Sequence, residues 1–258
     1  MQNPRNRFKQ ALREGRQQIG IWNAIPGTTV PELLAACGFD WVVLDTEHGA
    51  MEVRDVLPAL QAVAGYPGTS AVVRPAINDW VLIKRHLDQG AQTLMIPYVQ
   101  SRAEAEAAVR AMRYPPSGVR GVAGVTRASR FGLIDDYMTR AEEELCLIVQ
   151  VETVQALDRL EQIATVAGVD GVFIGPADLS ASMGYPGQQS HPEVVAAIEG
   201  AIGRLKALGV PSGILTLDPV FARRCMALGT GFTAVTVDVS ILGSAARGLL
   251  AGMRAPAQ

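Results

Sequence analysis

Lysine is scarce in this 258-residue chain, which has only Lys9, Lys84 and Lys206. The first lies near the N-terminus and the others fall within helical stretches, so none closes an apolar strand. A Schiff-base aldolase or a pyridoxal enzyme needs a lysine amine in its pocket, and both are excluded. Cysteine is as rare. Cys37, Cys146 and Cys225 are odd in number and widely spaced, which argues against a disulfide framework or a CxxC metal site. Their apolar contexts read as core. Charge of one sign is missing too: 23 Lys plus Arg face 25 Asp plus Glu. Without a long basic run there is no nucleic-acid grip, which needs many phosphate contacts. No apolar run approaches the roughly 18 residues of a membrane span. No GxSxG elbow or GxxxxGK loop occurs, removing the commonest hydrolase and P-loop readings. GTGFTA, at 229–234, matches a dinucleotide pattern by letter, but it precedes a strand instead of following one. The opening segment MQNPRNRFKQALREGRQQ is polar and carries no secretory signal. The expectation is a globular protein of the cytoplasm.

What the chain does have is repetition. Hydrophobic residues make up 48% of it, in short β-branched runs that alternate with helical stretches. Eight strands are expected: 18–25, 41–47, 70–75, 93–99, 145–152, 171–176, 212–217 and 232–238. Helices are expected at 102–112, 154–164, 192–208 and 219–228 from their Ala, Glu, Arg and Leu content. Asp218-Pro219 reads as an N-cap followed by proline at the first helical position. Continuous apolar strands suit a parallel sheet covered on its outer face. Eight units of roughly 32 residues each match the βα repeat. A closed barrel removes both sheet edges, so a single (β/α)8 TIM barrel over 1–258 fits better than an open doubly wound sheet. The longest irregular stretch, 114–136, has the length of a functional or partner-ordered loop.

In such a barrel, chemistry belongs where strands end. Asp45, Glu47 and His48 close the second strand, Arg74 the third, and Gln150 and Glu152 the fifth; Asp178 follows the sixth. Glu152 and Asp178 are 26 residues apart, about one βα unit, which places them on adjacent strands about 4.8 Å apart. Two carboxylates with the other positions left to water and substrate suit a hard divalent cation, although each could instead cap the next helix. His48 could act as a general base or be a hydrogen-bonded structural group. Arg74 could pair with a substrate carboxylate or bridge to Asp45 or Glu47 across the mouth. His86 and His191 read as surface groups. Arg110, Arg113, Arg120, Arg127 and Arg130 read as a solvated rim or as partners of helix C-termini, with Arg127 or Arg130 a possible contact for an acidic substrate tail.

FDWVVLDTEHG, VVRP, NDWVLIKRHLDQGAQTLMIPYVQ, RYPPSGVRGV, VQVET and GVDGVFIGPADLSASMGYPG together resemble the HpcH/HpaI family of metal-dependent pyruvate aldolases. The resemblance runs from about Gly20 to Ala246. It implies a barrel of the phosphoenolpyruvate/pyruvate type, assembled as a homohexamer (a trimer of dimers), with terminal helices at subunit interfaces. It also implies reversible cleavage of 4-hydroxy-2-oxo acids to pyruvate and an aldehyde, with Mg2+, Mn2+ or Co2+. By the same resemblance Glu152 and Asp178 hold the metal, His48 is the base and Arg74 stabilises the pyruvate enolate. Gln150, Gly175, Ala177 and Asp178 hold the pyruvate portion, and Leu215 walls the aldehyde pocket. Asp88 enters a neighbouring subunit's site and raises the basicity of its histidine. Thr46 stands where the family often has glycine. GVAGVTRASRFG, in a loop that helps bind the far end of the substrate, has the length seen in the sugar-acid aldolases. An oxaloacetate decarboxylase using the same site is the nearest alternative, and a catalytically silent binding or assembly barrel is the alternative of another class.

Overall fold

The computed structural model describes residues 1–255. Eight parallel strands close into a barrel in sequence order. They are β1 (Gln18–Asn23), β2 (Trp41–Asp45), β3 (Ser70–Arg74), β4 (Thr93–Ile96), β5 (Cys146–Val151), β6 (Gly171–Ile174), β7 (Ser212–Leu215) and β8 (Phe232–Val237). The helices are α1 (Arg7–Arg13), α2 (Thr29–Ala36), α3 (Val53–Val63), α4 (Trp80–Asp88), α5 (Arg102–Met112) and α6 (Tyr137–Glu144). They continue with α7 (Val154–Asp158), α8 (Leu160–Ala164), α9 (Pro176–Ser182), α10 (Pro192–Ala207), α11 (Pro219–Leu228) and α12 (Asp238–Arg254). All eight expected strands form, each ending earlier than its apolar run suggests. Glu47 and Glu152 lie past the last strand residue, where the backbone turns into the mouth.

Strands β2, β4, β5 and β6 are buried along their whole length, because helices cover their outer face while side chains fill the lumen. Period-two alternation sends Trp22, Trp41, Val43, Val72, Met95, Ile148, Phe173 and Phe232 inward as one cluster. Small residues opposite make the room. A methyl group on Gly20 would lie 2.2 Å from the Trp41 indole, and one on Gly213 would lie 2.1 Å from the Phe232 ring. Helix α1 closes the N-terminal end: Phe8 packs edge-on against Trp41 and Phe232 at 5.7 and 5.5 Å. Beside it, the buried Lys9 amine donates to the Leu145 carbonyl and pairs with Asp170 at 3.6 Å. The single C-terminal mouth left open is therefore the place for a site.

Side-chain caps start the helices. Asp218 accepts from Val220 N at 2.8 Å with Pro219 in the first turn, and Ser101 accepts from Glu104 N at 3.2 Å. The helix expected at 154–164 is broken at Arg159, whose backbone leaves the helical region (φ −108°, ψ 16°) while its guanidinium reaches the Gln100 carbonyl at 3.4 Å. Residues 114–136 hold neither helix nor strand. No helix among the described residues is long and apolar enough to cross a membrane.

Three expectations are corrected. Cys37, the C-cap of α2, is exposed and not core. Arg120 is not a rim residue: it is fully buried, 4.4 Å from the Tyr114 ring centroid and paired with Asp88 at 2.8 Å. His86 is no surface group either. It lies on the inner face of α4 with no solvent exposure and no hydrogen bond to either ring nitrogen. Arg127, by contrast, does bind a helix C-terminus, donating to the carbonyl of Gln89, the C-cap of α4, at 2.8 Å.

Burial, reinforced by the charge of Arg85, pulls His86 down to about 4. The unfolded chain therefore binds a proton that the folded chain refuses between about pH 6.5 and 4, and stability falls as pH falls through that window. His86→Leu is expected to recover up to roughly 3 kcal/mol of this acid-induced loss. Unfolding midpoints at pH 7 and pH 4.5 check it, and an equal acid loss in both proteins would contradict the role given to His86.

Candidate active site

The mouth is organised by register. Parallel pairing of β2 with β3 sets Asp45 directly beside Arg74, and both side chains point inward as the last lumen residues of their strands. Arg74 donates through Nε and Nη2 to the two oxygens of Asp45 at 2.9 and 2.6 Å, the bidentate geometry to which a guanidinium is suited. Its Nη1 pairs with Glu47 at 2.8 Å, and its plane lies 5.1 Å from the Trp22 ring. Arg74 thus bridges Asp45 and Glu47 while each Nη keeps a second hydrogen for a substrate oxygen. Asp45 also turns the next segment, accepting from Glu47 N at 3.0 Å and His48 N at 3.3 Å. Thr46 ties that segment to β3, donating from both its backbone N and its hydroxyl to the Arg74 carbonyl. The Thr46 hydroxyl thus faces the neighbouring strand.

Glu152 stands across the mouth, 3% exposed. Its Oε1 accepts from Tyr98 N at 2.8 Å and its Oε2 from the Gln150 amide at 2.8 Å. Tyr98 reaches it only by adopting a left-handed backbone (φ 55°), a conformation costing a non-glycine residue on the order of 1 kcal/mol. Gly175 supplies the space: a methyl group there would lie 2.4 Å from Glu152 Oε2. Asp178 sits in the first turn of α9 and is exposed. It is close enough to raise the proton affinities of both Glu47 and Glu152.

Charge is unbalanced here, with Asp45, Glu47, Glu152 and Asp178 around one guanidinium. Burial first, then the neighbouring carboxylates, push Glu47 up to about 7 despite Arg74. Glu152 is likewise pushed up to about 7 by burial and by Glu47 and Asp178, despite the Tyr98 N–H. Gln150 Oε1 is a buried acceptor without a donor. Hard oxygen donors, excess negative charge and an unfilled acceptor fit a divalent cation completed by substrate and water. Among the described residues no group of three or more His, Cys, Asp or Glu could form a protein-only metal cage, so a site here is open by construction.

His48 stands at the rim with its side chain 67% exposed and Nε2 3.9 Å from Glu47 Oε1. Leu215 lines the lumen beside the aromatic cluster, and Ala177 precedes Asp178 at the start of α9. The structure thus brings His48, Arg74, Gln150, Glu152, Gly175, Ala177, Asp178 and Leu215 to one mouth. Asp88 is not among them. It ends α4 at the opposite end of its own barrel, held by Arg120. Sequence reasoning named Asp45 and Glu47 only as alternative partners of Arg74, without choosing between them, and it passed over Tyr98. The equal offsets of Asp45 and Arg74 from their strand starts could have revealed the first, but nothing in the sequence marks a left-handed tyrosine.

A (β/α)8 barrel that gathers carboxylates, a guanidinium and a histidine at its C-terminal mouth has the layout of an enzyme active site. More particularly, residues 18–245 match the HpcH/HpaI aldolase/citrate lyase family, and the chain belongs to it. It is 61% identical to a pyruvate aldolase of Rhizobium etli, over 97% of this chain and 98% of that one. It is 51% identical to a 4-hydroxy-2-oxo-heptane-1,7-dioate aldolase of Escherichia coli, over 98% and 96%. The crystal structure of an HpcH/HpaI aldolase/citrate lyase family protein from Burkholderia cenocepacia superposes with a TM-score of 0.93 at 39% identity, covering 97% of this chain and all of that one.

If Glu152 holds a divalent cation, Gly175→Ala should displace that carboxylate and weaken Mn2+ binding about 10-fold or more, read by calorimetric titration. Unchanged affinity would show that Glu152 either holds no cation or does not depend on the space at residue 175.

Proposed function

We propose that this protein cleaves 4-hydroxy-2-oxo acids reversibly into pyruvate and an aldehyde, with a divalent cation (Mg2+, Mn2+ or Co2+) held by Glu152 and Asp178. The carrying observation is the mouth itself, where Arg74 is fixed in a bidentate pair with Asp45 among carboxylates short of positive charge. When bound, the cation supplies Lewis-acid polarisation of the 2-oxo group. The Gln150 side chain and the backbone N–H groups of Ala177 and Asp178 hold the pyruvate carboxylate and fix the C3–C4 bond in the mouth. His48 takes the proton of the C4 hydroxyl, the bond to C3 breaks, and the aldehyde leaves past Leu215. Arg74 meets the enolate oxygen with the hydrogens its carboxylate partners leave available, until the proton taken up by His48 is returned to C3 and pyruvate forms. It is held in place beforehand, so it favours the charge only as it develops.

The reading extends to assembly. Among the described residues of α12 only Asp238 is buried, while Leu242, Leu249, Leu250 and Met253 are exposed. An apolar helix so placed is suited to a subunit interface, in keeping with a cytoplasmic homohexamer (a trimer of dimers) in which Asp88 serves a neighbour's site. Oxaloacetate decarboxylation is a second reaction open to the same groups. It needs Arg74 and the cation but no base acting on a C4 hydroxyl. A silent barrel would have no use for the fixed Arg74 or the crowded carboxylates.

His48→Ala should lower cleavage of 4-hydroxy-2-oxopentanoate by about 100-fold or more and leave oxaloacetate decarboxylation nearly unchanged. EDTA should abolish both reactions and Mn2+ should restore them. Undiminished cleavage by His48→Ala would remove the base assignment, and indifference to EDTA would remove the metal.

A further inference from the structure

Asp238, the first residue of α12, is 4% exposed. Its carboxylate is met entirely by N–H groups. Oδ1 accepts from Val239 N at 2.7 Å and Ala24 N at 3.1 Å; Oδ2 accepts from the Asn23 amide at 2.7 Å, Ile25 N at 3.0 Å and Ala24 N at 3.1 Å. Each such charge-assisted bond is stronger than a neutral one, so Asp238 clamps the turn after β1 onto the start of α12. The Asn23 amide also donates to the Ile25 carbonyl at 2.9 Å, which tightens that turn further.

The clamped turn supports the loop that carries His48. Gly49 is wedged between two backbones. A methyl group on it would lie 2.5 Å from the Asp45 carbonyl oxygen, 3.1 Å from the Ala24 carbonyl oxygen and 3.3 Å from Ala24 Cα. His48 itself is largely exposed, its ring Nε2 3.9 Å from Glu47 Oε1, beyond hydrogen-bond reach. Its position therefore rests on its backbone: Asp45 holds its N–H on one side, and Ala24 backs the adjacent glycine on the other.

We propose that Asp238 is a positioning residue for His48, acting through the turn at Ala24 and Ile25 and the close contact of that turn with Gly49. Asp238 starts α12 directly after β8, on the far side of β1 from the base it places. This inference rests on His48 being the base for aldol cleavage. Its signature is selectivity between two reactions. Displacing the His48 loop impairs proton removal from a C4 hydroxyl, whereas decarboxylation of oxaloacetate in the same mouth makes no such demand.

Asp238→Asn keeps the size of the side chain but turns an NH2 donor toward backbone donors. In the full-length protein with saturating Mn2+, it should lower kcat for 4-hydroxy-2-oxopentanoate cleavage by about 10- to 100-fold, the effect of misplacing a catalytic group by about 1 Å. KM and oxaloacetate decarboxylation should stay within about threefold. Gly49→Ala presses on the same seam from the other side and should show the same selective loss, which keeps the test available if Asp238→Asn does not fold. Equal loss of both reactions in a variant that melts like the wild type, or no loss of either, would overturn the assignment. His48→Ala run alongside separates the failures. If it is not selective, the base assignment falls and takes this inference with it. If it is selective and Asp238→Asn is not, the positioning role alone falls.

Discussion

The bidentate pair between Arg74 and Asp45 is the interaction on which the site depends. Both residues end barrel strands, and the β2–β3 register sets them side by side. Burying two charges is costly, and such a pair contributes more to specificity of arrangement than to stability. Here it does three things at once. It fixes the plane of the guanidinium, brings Nη1 to Glu47, and leaves Asp45 able to hold the backbone of the segment bearing His48. A one-residue slip of β3 against β2 would turn Arg74 to the opposite face and break its pairing with Asp45.

Around that pair the protein gathers more negative charge than it balances. Burial is the main cause of the raised proton affinities of Glu47 and Glu152, and the neighbouring carboxylates add to it. A divalent cation would relieve the repulsion. The structure keeps the carboxylates together by fixing each one locally: Glu152 between Tyr98 and Gln150, with Gly175 clearing its space, and Asp178 at the start of α9. The lower barrel, closed by Phe8 and filled by Trp41, Phe232 and Phe173, gives these positions a rigid floor. The rim is looser, and there His48 depends on backbone contacts from both sides.

The barrel was legible in the sequence because its signal is repeated eight times. Apolar runs, turn residues and helical stretches recur at a spacing that no other parallel architecture fits as well. The site was legible where the rule of strand ends applies, which located His48, Arg74, Gln150, Glu152 and Asp178. What stayed hidden depends on contacts between distant segments. His86 reads as a surface histidine because helix periodicity does not say how deeply α4 is covered, and Arg120 looks solvated because two tyrosines far from each other in the chain are needed to bury it. Tyr98 shows no mark of its left-handed backbone. Asp238 reads as the last residue of the eighth strand, and nothing in the sequence shows that the turn after β1 folds against it at the start of α12. Of the two readings of Arg74, the structure shows the bridge to Asp45 and Glu47; a guanidinium has five N–H donors, so this bridge leaves the substrate reading open.

The central claim, that Arg74 and Asp45 act as one unit, is tested most directly by a double-mutant cycle on kcat. Asp45→Asn and Arg74→Lys each break the bidentate pair, and the cycle compares them singly and together in cleavage of 4-hydroxy-2-oxopentanoate. Residues that act as a unit are strongly non-additive, so the double variant should be no slower than the slower single variant. Losses that simply multiply would contradict the account and show that the two residues contribute independently.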